Sequence, residues 1–266
     1  ALNPGVFSQD FRAANLHKYA DTDIVRAIIL LESEPLADHE GTALQKSAYA
    51  LRLNKEQTAV KKAMNTIPYE TAYTFTTLLN GFSCDVAYGD LESIAKIDGV
   101  SAVYIANHYE EPRLEMPENN HANNIIGNTA MNNNGFNGEG IVVAVLDTGL
   151  DSNHTAFSPD NFTSTKLGLT YDQVAALIDK TTAYEWANGN LTVDNVFINN
   201  KVPFGYDYAD KDPDVYSTHN NHGTHVSGVI VGKDDTITGV APNAQIVTMK
   251  IFSDIEQYRR NEAIRR

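Results

Sequence analysis

With a single cysteine, Cys84, among its 266 residues, the chain forms no internal disulfide, and a secreted form of it would hold together by packing alone. Cys84 itself reads as a small buried apolar residue rather than a nucleophile. Basic residues are scarce: 20 Lys and Arg against 34 Asp and Glu leave a formal charge of −14, which argues against nucleic acid and anionic membrane surfaces as partners. No run of 18 apolar residues occurs, so no membrane span is expected. An initiator Met and a basic-then-apolar leader are also missing, as after signal removal or from a designed start. What is present is a 42% hydrophobic content, enough for one large domain or two ordinary ones.

Residues 1–22 show no sustained period and read as an N-terminal arm. The run IVRAIILL, Ile24 to Leu31, reads as a buried strand, and Glu40 to Met64, rich in Ala, Leu, Lys and Gln, as a long helix. Strands are expected over Glu70 to Leu78 and Phe82 to Ala87, turned at Asn80-Gly81, a dipeptide suited to a tight hairpin. A helix over Leu91 to Ile97 and a strand over Val100 to Ala106 complete a strand, helix, strand, strand, helix, strand series. That series is the ferredoxin-like plan, and residues 23–106 are expected to form their own domain.

Residues 107–136, with two prolines and many asparagines, read as a linker with one short helix near Ala122 to Met131. From 137 to 254 a second α/β domain is expected. Its unalternating run Ile141 to Leu146 has the texture of a central parallel strand buried on both faces, with Asp147 at its carboxyl end, where open α/β sheets keep their working residues. Thr163 to Ala187 has helical texture, Phe197 to Tyr208 reads as loop and strand, Val226 to Val231 as a buried helix, and Ala244 to Phe252 as another buried strand. Residues 255–266 form a basic tail, with four arginines in the last eight positions.

Asp207, Asp210, Asp212 and Asp214 place hard oxygen ligands at near-alternate positions, as a calcium loop does. The Gly and closing Glu of an EF-hand loop are missing, so a solvated turn is the preferred reading and calcium the weaker one. His222 and His225 lack the intervening Glu of a zinc HExxH helix. As a base, His222 fits better: Gly223 beside it allows close approach, and a carboxylate such as Asp147 can orient one imidazole nitrogen while the other takes a proton. On residue types alone, an acid and base pair and two structural residues are equally open.

The segments VVAVLDTGLDSNH, NNHGTHVSGVIVG and TGVAPNAQIVTMKIF resemble the Asp and His blocks of subtilisin-like serine proteases, in that family's order and spacing. With KVPFGYDYAD before the His block, the long insertion looks like that of lactocepin-type cell-envelope proteinases and related streptococcal surface peptidases. The resemblance implies Asp147 and His222 as two members of an Asp-His-Ser triad, no catalytic role for His225, His154 or Asp151, and an inhibitory propeptide over residues 23–106. It implies processing between about Ala106 and Asn124, a peptide or protein substrate, and a secreted or cell-envelope location.

Three departures qualify that resemblance. Neither the family's Gly-Thr-Ser-Met-Ala block nor its oxyanion-hole Asn occurs in the sequence. Ala156 stands where small subtilisins have a calcium ligand, and the basic tail is unlike the family's acidic continuation. The expectation is therefore the N-terminal part of a subtilisin-like endopeptidase precursor, inactive by itself and dependent on a second chain or C-terminal segment for its serine. The alternative is a pseudoprotease or propeptide-type inhibitor. An exposed strand edge is expected beside Ala244 to Phe252.

Overall fold

The computed structural model describes residues 19–106, 111–112 and 125–255. Most of the N-terminal arm, most of the processing region and the basic tail from 256 onward lie outside the described residues. The chain divides into two compact units between His108 and Tyr109.

The first unit runs β1 (Ile24–Leu31), α1 (Ala43–Ala63), β2 (Tyr69–Phe75), β3 (Gly81–Ala87), α2 (Leu91–Ile94) and β4 (Val100–Ile105). Its four strands form an antiparallel sheet in the order β2-β3-β1-β4. β1 alternates rather than being buried throughout: Val25, Ala27, Ile29 and Leu31 enter the core, and Ile24 is exposed. α1 starts three residues later than its composition suggests, because Thr42 caps it. Gln45 N–H donates to Thr42 Oγ1 (3.4 Å) while Thr42 N–H donates to Gln45 Oε1 (2.8 Å), a reciprocal capping box. Met64 and Val60, with Leu91 and Ile94, close the core against Phe82, Cys84 and Val86.

Asn80-Gly81 is not a two-residue hairpin turn. Five residues, 76–80, separate β2 from β3, and the Asn80 amide is buried, donating to Ser33 O (3.1 Å) and accepting from Gln57 Nε2 (3.1 Å). Gly81 is already in the sheet, so close to β1 that a Cβ would lie 2.0 Å from Ile29 O.

The second unit contains α3 (Asn128–Asn133), β5 (Val142–Asp147), α4 (Tyr171–Leu177), α5 (Thr182–Trp186), α6 (Val193–Val196), β6 (Phe204–Asp207), α7 (His222–Val231) and β7 (Gln245–Lys250). The helical texture of 163–187 resolves into α4 and α5, separated at Thr181, whose hydroxyl caps α5 through Tyr184 N–H. β5, β7 and β6 form a parallel sheet in that order. α7 packs on one face with Val145, Leu150 and Ile246. The inserted helices α4 to α6, with the turn that follows α4, cover the other face through Val174, Ile178, Ala183 and Val196, against Phe204, Tyr206 and Val247.

The sheet order corrects two expectations. Among the described residues β7 (Gln245–Lys250) is the central strand, with β5 on one side and β6 on the other, rather than an exposed edge. β5, expected to be central, is an edge strand whose Ala144 and Leu146 are exposed, Leu146 by 56%. Its continuous apolarity suits a strand buried on both faces, whereas among the described residues only β7 pairs with it. The register aligns the three carboxyl ends, with Asp147 and Asp207 both opposite Lys250.

Candidate active site

Asp147 leaves the end of β5 and His222 opens α7, and the fold brings them into contact. His222 Nδ1 lies 2.8 Å from Asp147 Oδ1 and 2.9 Å from Oδ2. The carboxylate is mostly buried and the imidazole part-exposed, at 12% and 27% of their side-chain surface. Thr148 N–H donates to Asp147 Oδ1 at 2.7 Å, fixing the carboxylate from its own backbone.

Two glycines permit this closeness. A Cβ on Gly223 would lie 2.2 Å from Gly149 O, and one on Gly149, whose φ is +120°, would lie 2.3 Å from Val215 O. Across the same seam Asp151 N–H donates to Thr224 Oγ1 at 2.9 Å. The acid block and the base block therefore interlock through backbone as well as through the side-chain pair.

The acidic stretch behind the pair is organised by Lys250, a residue the sequence reading passed over. Its ammonium, 3% exposed, lies 2.6 Å from Asp207 Oδ2, 2.9 Å from Asp254 Oδ2 and 3.9 Å from Asp210 Oδ2. Burial opposes the charge on Lys250, but Asp207 and Asp254 outweigh it and raise the lysine's pKa. Burial keeps the Asp207 carboxyl above its usual range despite the lysine. Burial would also raise Asp254, but Lys250, the Ser217 hydroxyl and Thr218 N–H together hold it below its ordinary value.

The solvated-turn reading of this stretch holds only for Asp212 and Asp214, which are exposed and accept from the backbone N–H groups of Asp214 and Tyr216. Asp207 is buried, accepting from Ala209 and Asp210 N–H, and Asp210 accepts from Ser253 Oγ and Asp254 N–H. A lysine at the end of a buried strand, followed by Ile251 and Phe252, was the available signal. Among the described residues no group of three His, Cys, Asp or Glu side chains is arranged to hold a metal ion.

The network continues to the loop before His222. Asp254 Oδ1 lies 2.9 Å from His219 Nδ1, and His219 Nε2 lies 3.2 Å from Glu111 Oε1. Glu111 also accepts from Asn220 Nδ2 at 2.8 Å, and Asn220 Oδ1 accepts from His222 N–H at 3.0 Å. Glu111 and Pro112 belong to the stretch expected to be processed.

The remaining singled-out residues have structural surroundings. His154 Nδ1 accepts from Ala156 N–H (3.2 Å), capping a short turn. Asp151 accepts from Asn153 N–H at 3.1 Å. His225 Nδ1 is buried and has no hydrogen-bond partner among the described residues. Burial in the first unit pushes the Cys84 thiol up to about 11, the state of an inert core cysteine.

This seam between an acid-bearing strand end and a base-bearing helix start lies in a segment, residues 138–264, that matches the subtilase family. The match covers a little under half of the chain. The PII-type proteinase of Lactococcus lactis subsp. cremoris is 29% identical over 256 residues, covering 90% of this chain and 12% of that protein. The C5a peptidase of Streptococcus pyogenes serotype M18 is 32% identical over 136 residues, covering 47% of this chain and 11% of the other. The epidermin leader peptide processing serine protease of Staphylococcus aureus overlaps with a TM-score of 0.41 at 14% identity, covering 91% of this chain and 46% of that one. The chain thus spans only a small part of the proteinases it resembles. Among the described residues no helix is long and apolar enough to cross a membrane.

Proposed function

We propose that these 266 residues are the N-terminal part of a subtilisin-like serine endopeptidase precursor, secreted or carried on the bacterial cell envelope. The observation that carries this is the contact of His222 Nδ1 with the Asp147 carboxylate at 2.8 Å. In such a pair the carboxylate holds the imidazole in one tautomer and stabilises its protonated form, leaving Nε2 to take a proton from an attacking serine and return it to the leaving amine. The serine and the oxyanion donors would come from a segment outside this sequence, and without them the acyl-transfer route does not run. The free edge of β5, which ends at Asp147, is a fitting place for that segment to join the sheet.

The first unit would be a ferredoxin-like inhibitory propeptide, with processing between about Ala106 and Asn124. Two observations support this: the 29% identity to the lactococcal proteinase extends over 90% of the chain, and Glu111 engages Asn220 beside the base. The substrate would be a peptide or protein.

A fluorophosphonate probe tests the reading. Labelling is expected only when the chain is mixed with a serine-bearing C-terminal half, and is lost in His222→Ala. A second reading is a pseudoprotease or propeptide-type protease-binding protein. No labelling in the mixture, with retained binding to a second protease, would establish that alternative.

A further inference from the structure

We propose that Thr148 is a positioning residue for the base: its hydroxyl caps the helix that carries His222 and thereby sets the imidazole against Asp147. α7 begins at His222, and its N-cap residue, Asn221, makes no side-chain capping bond. A helix start leaves its first N–H groups without intrahelical partners, and these need acceptors from elsewhere. Asn220 Oδ1 serves His222 N–H at 3.0 Å. Gly223 N–H is served from 75 residues away, by Thr148 Oγ1 at 2.9 Å.

The same hydroxyl donates its proton to Asn220 O at 3.1 Å. Thr148 thus donates to one and accepts from the other of two residues that flank the base. Thr148 is 1% exposed, so water is poorly placed to stand in for the hydroxyl. Its own N–H meanwhile holds Asp147 Oδ1 at 2.7 Å, so one residue fixes the acid through its backbone and the base-bearing helix through its side chain. The near-contact of Gly223 with Gly149 O is what brings Gly223 N–H within reach. Neither half of this bridge depends on a serine, but it rests on the reading of Asp147 and His222 as acid and base.

The test is proton NMR of the full chain, following the low-field signal of a His222 Nδ1–H bonded to carboxylate, with the folded fraction matched by Trp186 fluorescence. Thr148→Val keeps the side-chain volume and removes the hydroxyl; Thr148→Ser restores the hydroxyl. The expected result is a signal present in the unaltered chain and in Thr148→Ser but lost in Thr148→Val. A signal that survives Thr148→Val, or that Thr148→Ser loses as fully, overturns the proposal. Should Thr148→Val not fold, amide exchange in the unaltered chain decides: slow exchange at Gly223 supports the cap, and exchange as fast as at exposed Asn221 overturns it. Asp147→Asn separates the two readings. A signal that is absent from the unaltered chain or survives Asp147→Asn refutes the acid and base pair and the proposal with it. One that Asp147→Asn abolishes while Thr148→Val leaves it intact refutes the role of Thr148 alone.

Discussion

Replacing Lys250 by Met keeps the aliphatic stem and removes the ammonium that lies among Asp207, Asp210 and Asp254. Breaking a buried ion pair by deleting one partner costs about 3–5 kcal/mol, because an uncompensated charge stays behind. Asp207, 1% exposed, retains the N–H groups of Ala209 and Asp210, both at 2.8 Å, so the lower end, about 3 kcal/mol, is expected. The loss should shrink as pH falls. Burial already raises the Asp207 pKa, and without the lysine the folded state binds a proton there that the unfolded state does not, so the variant gains stability toward acid pH.

The only tryptophan, Trp186, lies in the second unit, packed edge-on against Tyr208 at 5.8 Å, so urea unfolding followed by its fluorescence reports on that unit. A cycle with Asp207→Asn isolates the coupling: the double variant should recover much of the loss. A cost below about 1 kcal/mol for Lys250→Met, the range of an exposed pair, or no recovery in the double variant, would refute the assignment of Lys250 as the internal counter-charge.

Lys201, whose ammonium donates to Pro242 O at 2.5 Å in a buried setting, has its pKa lowered by burial to about 8. The unfolded lysine holds its proton to higher pH, so the second unit should gain stability, by up to about 3 kcal/mol, as pH rises from about 8 toward 10.5; Trp186 fluorescence at constant urea measures it, and a flat profile refutes it. Cys84 should resist thiol reagents until the first unit opens, so that its labelling rate follows that unit's unfolding; prompt labelling of the folded chain would contradict its burial. Gly223→Ala forces a Cβ to 2.2 Å from Gly149 O and should cost about 1–3 kcal/mol while abolishing the His222 Nδ1–H signal; retention of both stability and signal would show that the seam can relax. The chain alone should self-associate through β5, and Ala144→Lys, on the exposed edge, should reduce this without lowering Tm; a sample monomeric at high concentration without the change would remove the premise.

The pairing of Asp147 with His222 was legible because each sits in a block whose local chemistry is written in adjacent residues: an apolar run ending in Asp147-Thr148-Gly149, and His222-Gly223 at a helix start. The surrounding support was not legible, because it is assembled across long separations. Lys250 meets Asp207 and Asp210 only when β6 and β7 pair in parallel, and Thr148 finds Gly223 only when α7 lies over the end of β5. Asn80-Gly81 misled for a related reason: turn propensity is local, whereas the buried amide bonds of Asn80 to Ser33 and Gln57 are not. Of the inner carboxylates, Asp207 and Asp210 looked like surface residues because their counter-charge lies some forty positions away.

β5 is the place where sequence and structure disagree most, and the disagreement carries information. A strand reading Val-Val-Ala-Val-Leu suits burial on both faces, yet Ala144 and Leu146 face solvent and one full edge of the strand has no partner among the described residues. The apolar helix α7 shows the same mismatch: Val226, Val229 and Ile230 are only half-buried, and the Nδ1 of His225 and the Oγ of Ser227 are enclosed without partners among the described residues. Exposed apolar side chains also occur elsewhere, Leu44 and Ile125 among them, but those of β5 and α7 sit on the two elements that hold Asp147 and His222. An apolar strand edge of this kind is a place where a further chain segment can pair, as the proposed function requires. The element that covers β5 would arrive at the carboxyl end of the strand, beside the imidazole, where the proposed serine has to stand.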